Sequence, residues 1–217
     1  MIPVTERRGY HQFCGVSRAL DIVGERWTLL LVRDLLLGGR RFGDLLAALP
    51  GLTPNLLSRR LKEMLAHGLV AQRRLPPPHA TTLYELTPLG RELEPVVFAL
   101  GRFGARWLGA PAPDDRTDPR WAMVSLKRRY LGSERPLCAQ LRVDDLSFTV
   151  RTGGPAAELV DGAPPAPELV LAGPLRSFGA WIVHGASARA QVLEGALTRE
   201  GPAQALTDLA RAFGLRP

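Results

Sequence analysis

The residues best placed to do chemistry in this sequence are short hydrogen-bond donors followed by bases. Thr53 comes first, and Asn55, Ser58, Arg59 and Lys62 then recur at the three- and four-residue spacing of one helix face. Such a face offers hydrogen bonds to base edges and attraction to phosphates, on an element that fits the ~12 Å major groove of a duplex. Arg40 and Arg41 precede it and Arg73 and Arg74 follow, so that residues 40–74 hold seven bases against Asp44 and Glu63, net +5. For a single helix in isolation the alternative is a polar face that simply meets water. The surrounding order has to decide.

Other chemistries find little support. No phosphate-cradling Gly-rich loop is present, and Gly185-Ala186-Ser187-Ala188-Arg189 departs from a nucleophile elbow at its last position. His11, His67, His79 and His184 are scattered, without the i, i+4 or cysteine companions of a zinc site. No catalytic residue, metal or cofactor is therefore expected, and the chain reads as a non-enzyme. Its start, Met1 to Arg8, lacks an apolar signal region, and no apolar run reaches the ~18 residues of a membrane span. A cytoplasmic protein without a membrane partner is expected, with Cys14 and Cys138 as free thiols.

The charge is unevenly divided. Of 217 residues 46% are apolar, the formal charge is +7, and 26 of the 28 bases are arginine. Residues 1–110 carry net +6 and residues 111–217 net +1. Between them Pro111-Ala112-Pro113-Asp114-Asp115-Arg116-Thr117-Asp118-Pro119 reads as a linker, because such a segment neither buries apolar surface nor continues a helix. A first domain over 1–110, a linker over 111–119 and a second domain over 120–217 follow. The excess charge belongs to the first.

Four helices are expected early in the first domain: Cys14 to Val23, Trp27 to Leu37, Asp44 to Leu49 and Pro54 to His67. The last is the best marked, with Thr53 as N-cap, Pro54 at the first helical position and Gly68 as the stop. Leu57, Leu61, Met64 and Leu65 form its inward stripe, opposite the donors and bases. Leu69 to Leu75 then reads as a strand, Pro76 to Thr82 as a loop and Leu83 to Leu86 as a returning strand. Arg73 and Arg74 are neighbours on a strand, so at most one can face a duplex. Thr87-Pro88 caps a further helix, expected through Trp107. Helix, turn, helix and hairpin make the layout of a winged helix-turn-helix.

At these residues the sequence resembles a known family. Cys14, Gly24-Glu25-Arg26-Trp27-Thr28-Leu29-Leu30, Arg40-Arg41-Phe42-Gly43-Asp44-Leu45, Leu57-Ser58-Arg59-Arg60-Leu61-Lys62, Gly68-Leu69-Val70 and Tyr84-Glu85-Leu86-Thr87-Pro88 are similar to the HxlR-type transcriptional regulators, over roughly residues 10–108. The resemblance implies a homodimer on double-stranded DNA, with the first and last helices contributing to dimerisation. It implies that Thr53, Asn55, Ser58, Arg59 and Lys62 read the major groove and that Arg40 and Arg41 meet phosphates. The wing, with Arg74, His79 and Thr81, would approach the minor groove. Arg60 falls instead to an internal ion pair or helix packing. Cys14 has two readings: a small core-lining thiol comes first, and the redox-sensing thiol of some relatives is the alternative.

In the second domain Trp121 to Leu131 reads as a helix, and Leu137 to Val143, Asp144-Asp145 and Leu146 to Arg151 as a hairpin. A strand over Glu168 to Ala172 and helices over Pro174 to Val183, Ala188 to Leu193 and Pro202 to Phe213 follow. With Gly195-Ala196-Leu197-Thr198-Arg199-Glu200-Gly201-Pro202, this order resembles a sterol-carrier-protein-type domain over roughly residues 120–214. That resemblance implies an apolar cavity for a small hydrophobic ligand, with Trp121, Phe148, Phe178 and Trp181 as lining or as ordinary core. The expected fold is α+β, a winged helix-turn-helix followed by a smaller α/β sterol-carrier-like domain. The expected function is sequence-specific transcriptional regulation; the alternative is a hydrophobic-ligand binding protein with a basic docking domain.

Overall fold

The computed structural model describes residues 9–77, 80–109, 112 and 114–217. Met1 to Arg8, Pro78 and His79 of the wing loop, Ala110 at the end of the expected first domain, and Pro111 and Pro113 of the expected linker lie outside the described residues. The chain divides into two compact units, Met1–Phe103 and Gly104–Pro217.

The first unit opens with α1 (Gly15–Val23), α2 (Thr28–Leu35), β1 (Arg40–Arg41), α3 (Phe42–Ala48) and α4 (Pro54–Ala66). The start of α4 follows from local chemistry: Thr53 Oγ1 accepts from the Leu56 N–H at 3.3 Å, and Pro54 has no N–H to leave unpaired. Gly68, at φ +68°, turns the chain into β2 (Val70–Leu75), which pairs antiparallel with β3 (Thr81–Leu86). β1 adds to the other edge of β3, Arg40 opposite Tyr84 and Arg41 opposite Leu83. Leu31, Leu35, Leu45, Leu57, Leu61 and Met64 close the core between the helices.

The single helix expected from Thr87 to Trp107 is three pieces: α5 (Pro88–Arg91), α6 (Glu94–Gly104) and a 3₁₀ turn over Ala105–Trp107. The break has a named cause. Pro95 has no N–H to donate to the Arg91 carbonyl, and Glu92 and Leu93 bond back to Leu89 and Gly90 in tighter i→i−3 contacts. Gly90 is obligatory here, since a Cβ would stand 2.0 Å from the Leu69 carbonyl oxygen.

In the second unit the 3₁₀ turn over Ala105–Trp107 is followed by α7 (Pro119–Lys127), capped by Asp118, whose carboxylate accepts from the Arg120 N–H at 2.8 Å. Pro119, which reads in sequence as the end of a linker, is the first residue of this helix. β4 (Ser133–Val143), β5 (Leu146–Gly154), β6 (Glu158–Asp161), β7 (Leu169–Gly173) and β8 (Thr198–Glu200) form a sheet ordered β6-β5-β4-β7-β8, antiparallel except for the parallel β4–β7 pair. Asp144, at φ +50°, makes the tight turn between β4 and β5. Leu137, Ala139, Leu141 and Val143 alternate onto one buried face, joined by Phe148, Val150, Leu169 and Leu171. α8 (Leu175–Ile182) and α10 (Ala203–Ala212) bring Phe178, Trp181, Leu206 and Leu209 into that core, and α9 (Ala188–Leu193) lies between them in the chain. No described helix is long and apolar enough to cross a membrane.

Candidate nucleic-acid interface

The first unit has a winged helix-turn-helix order: α3, a turn at Pro50-Gly51, α4, then the β2–β3 hairpin. On α4 the sequence pattern separates as expected. Leu57, Leu61 and Met64 are buried, and Asn55, Ser58, Arg59 and Lys62 are exposed on the opposite side. Thr53 is exposed too, but its hydroxyl is engaged in capping. Arg59, 68% exposed, rests its Nε on Glu63 at 3.3 Å. Lys62 makes no ion pair among the described residues.

The basic cluster of residues 40–74 is much less free than its count suggests. Arg40 is only 7% exposed and its Nη2 donates to the Asp44 carbonyl at 3.3 Å, so it is not the surface phosphate contact expected of it. The strand alternation explains the difference. Arg40 lies opposite Tyr84 on the sheet face that also carries the buried Val70 and Leu86, which sends Arg41 to the exposed side. Arg60 is buried and forms the internal ion pair anticipated for it, with Glu25 and with Glu63, both at 2.5 Å. On the hairpin Arg73 pairs with Glu85 at 3.0 Å, and Arg74, on the opposite face, is exposed and has no ion pair among the described residues. Thr81 is half-buried beside it, and His79 is outside the described residues. Among the described residues, the exposed bases of this stretch without an ion pair are thus Arg41, Lys62 and Arg74.

Cys14 is a correction. It is exposed, at the residue before α1, and lines no core. Of α1 only Ser17 and Val23 are buried, so this end of the helix has little interior to line. The backbone N–H of Ser17, then that of Val16, and least the Ser17 side chain favour the sulfur's anion and hold the thiol below its ordinary pKa, while the Ser17 hydroxyl itself donates to Gln12 Oε1 at 2.6 Å. Free backbone donors at a helix start favour the anion for the same reason they favour a carboxylate.

In the second unit Phe148, Phe178 and Trp181 are fully buried, and Trp121 is half-buried. Phe178 and Trp181 sit 6.4 Å apart between ring centres, and the Trp181 indole N–H donates to the Arg216 carbonyl at 2.9 Å. These three aromatics are packed core. An open depression lined by Gly132, Ser133, Glu134, Gly153 and Gly154 includes none of the four expected ligand residues.

The likeness to known proteins centres on the first unit. The HxlR-like helix-turn-helix family matches residues 22–111. An HTH-type transcriptional regulator of Synechocystis sp. is 36% identical over 95 residues, 44% of this chain and 70% of that protein. The HTH-type transcriptional regulator YvaP of Bacillus subtilis is 36% identical over 92 residues, 42% of this chain and 85% of that protein. Among solved structures, the redox regulator HypR in its reduced form is 29% identical, covering 43% of this chain and 92% of that one at a TM-score of 0.41.

Proposed function

The chain belongs to the HxlR-like helix-turn-helix family, and on that premise we propose that it is a DNA-binding transcriptional regulator acting as a homodimer on a pseudo-palindromic operator. The observation that carries the reading is the exposed face of α4, where Asn55, Ser58, Arg59 and Lys62 stand together beside a hairpin that presents Arg74. Donors near the helix start read base edges in the major groove, and Lys62, Arg41 and Arg74 meet phosphates.

The dimer is supported by exposed apolar surface. α6 has no buried residue, and Val96, Leu100 and Phe103 are 42%, 48% and 60% exposed at the i, i+4, i+7 spacing of one face. Val16 and Leu20 of α1 are exposed as well. Contiguous apolar surface of this kind marks an interaction site, and a second copy supplies a self-complementary cover. Two recognition helices would then occupy half-sites about one helical turn, ~34 Å, apart.

The second unit is proposed to be a sterol-carrier-like module that binds a small hydrophobic ligand and shifts the dimer toward or away from its DNA-competent state. Its support is a five-stranded sheet with an aromatic-rich layer on its buried face. Because Phe148, Phe178 and Trp181 fill that layer, entry of a ligand requires them to repack. Cys14 is the proposed reactive thiol, since it is exposed with a lowered pKa.

Selection of bound fragments from the source genome tests the main reading. Recovery of one pseudo-palindromic motif is the expected result, and recovery of fragments without a shared motif overturns it.

A further inference from the structure

Glu63 presents its two carboxylate oxygens to two different arginines. Oε2 accepts from Nη1 of buried Arg60 at 2.5 Å, and Oε1 accepts from Nε of exposed Arg59 at 3.3 Å. Arg60 in turn reaches back 35 residues with Nη2, to Glu25 Oε2 at 2.5 Å, in the corner between α1 and α2. That corner is held in an unusual shape. Trp27 adopts φ +83°, a left-handed backbone that bulky residues rarely enter, with the Arg26 guanidinium 4.8 Å from its ring centre. An ordered chain of four side chains, Glu25, Arg60, Glu63 and Arg59, therefore runs from a constrained corner to the exposed face of α4.

We propose that Glu25 and Glu63 are positioning residues that set base specificity by pre-orienting Arg59 to read a guanine. With Nε engaged by Glu63, the two terminal amino groups of Arg59, which have no protein partner among the described residues, form an exposed fork. That fork is the shape that takes guanine O6 and N7 together. Arg60 is 6% exposed in its side chain and anchored at both ends, so the carboxylate that aims Arg59 is itself fixed. A guanidinium already held in its reading geometry loses less conformational freedom on binding. Released from Glu63, Arg59 sweeps its rotamers and pairs with any nearby phosphate, which favours random sequence as much as operator. The Glu63 charge acts in the same direction, because it lowers the attraction of this part of α4 for any duplex. The ordinary alternative is a surface i, i+4 pair of small energetic value beside a structural arginine. It predicts no effect on sequence discrimination.

The inference rests on the DNA-binding reading, and its test separates the two. The probes are a duplex recovered by the wild-type protein from a randomised library and its scrambled counterpart, and the readout is the ratio of the two affinities. Glu63→Gln, Glu25→Ala and the milder Glu25→Gln are compared with wild type, each alone and in an Arg59→Ala background, with thermal unfolding confirming the fold. Glu63→Gln and Glu25→Ala are each expected to cut the ratio roughly tenfold, the discrimination carried by one bidentate contact, with affinity for the scrambled duplex kept or raised. Neither should change it further once Arg59 is gone. Wild-type ratios in the Glu25 and Glu63 variants overturn the inference. So does an equal loss in the Arg59→Ala background, which would mean that the network acts on the whole helix. A wild-type protein that itself prefers neither duplex removes the DNA-binding reading first, and this inference with it.

Discussion

Lys62→Ala and Arg73→Ala each remove one positive charge per protomer, and they should act differently on the salt dependence of DNA binding. Lys62 is exposed on the reading face and makes no ion pair among the described residues, so a phosphate it meets releases a counterion without first breaking such a contact. Arg73 already donates its Nε to Glu85 at 3.0 Å, on the hairpin face opposite Arg74. One phosphate contact contributes about 0.9 to the slope of log affinity against log salt, so the two Lys62 residues of the proposed dimer contribute about 1.8. Between 50 and 200 mM salt a slope change of about 1.8 corresponds to about a tenfold difference, so the advantage of wild type over Lys62→Ala should shrink by that factor. Arg73→Ala should run parallel to wild type. Fluorescence anisotropy of a labelled operator duplex at four salt concentrations measures both. A Lys62→Ala line parallel to wild type, or an equal fall in slope for Arg73→Ala, refutes the assignment of phosphate contacts.

Three further outcomes follow from the same geometry. Phe148 is fully buried, so Phe148→Ala should cost about 3–5 kcal/mol in urea unfolding of the second unit; a loss below about 1 kcal/mol would mean that the ring lines open space instead. Leu100→Glu places a charge in the exposed apolar stripe of α6 and should convert the dimer to monomer in analytical ultracentrifugation while leaving the helical signal intact; a dimer of unchanged affinity removes α6 from the interface. The backbone N–H groups of Ser17 and Val16 favour the Cys14 thiolate, so the alkylation rate of Cys14 should reach half its maximum at a lower pH than that of free cysteine, whose pKa is ~8.5. Ser17→Ala should move that midpoint upward only part of the way, because the larger causes are the backbone N–H groups of Ser17 and Val16. A midpoint at or above that of free cysteine contradicts the geometry.

The parts of this fold legible in the sequence are those written by local chemistry. α4 carries its cap, its first-turn proline and its terminal glycine within 16 residues, Thr53 to Gly68, and its two faces separate in the structure as their side chains do in the sequence. The β4–β5 hairpin and α8 to α10 were equally readable from alternation and helical spacing. What escaped were features set by distant partners. β1 is two residues long and exists because β3 passes beside it, pairing Arg40 with Tyr84 and Arg41 with Leu83, so Arg40 and Arg41 look alike in sequence and point to opposite sides in space. β6 and β8, of four and three residues, are too short for a period of two to register. Glu25 carries no sign of its tie to Arg60, although Glu63, three residues after Arg60, could have been paired with it from helical spacing. Cys14 read as core because small thiols usually are buried, whereas its place before an exposed helix start leaves it in solvent.

The central claim is that α4 reads sequence, as opposed to a basic unit that docks on any polyanion. A competition titration tests it most directly: labelled operator duplex bound to the 217-residue chain at physiological salt, displaced by unlabelled operator or by a random-sequence duplex of equal length. Specific recognition predicts that the random duplex is needed at about 10³-fold or greater excess. Equal competition by the two duplexes would contradict the account.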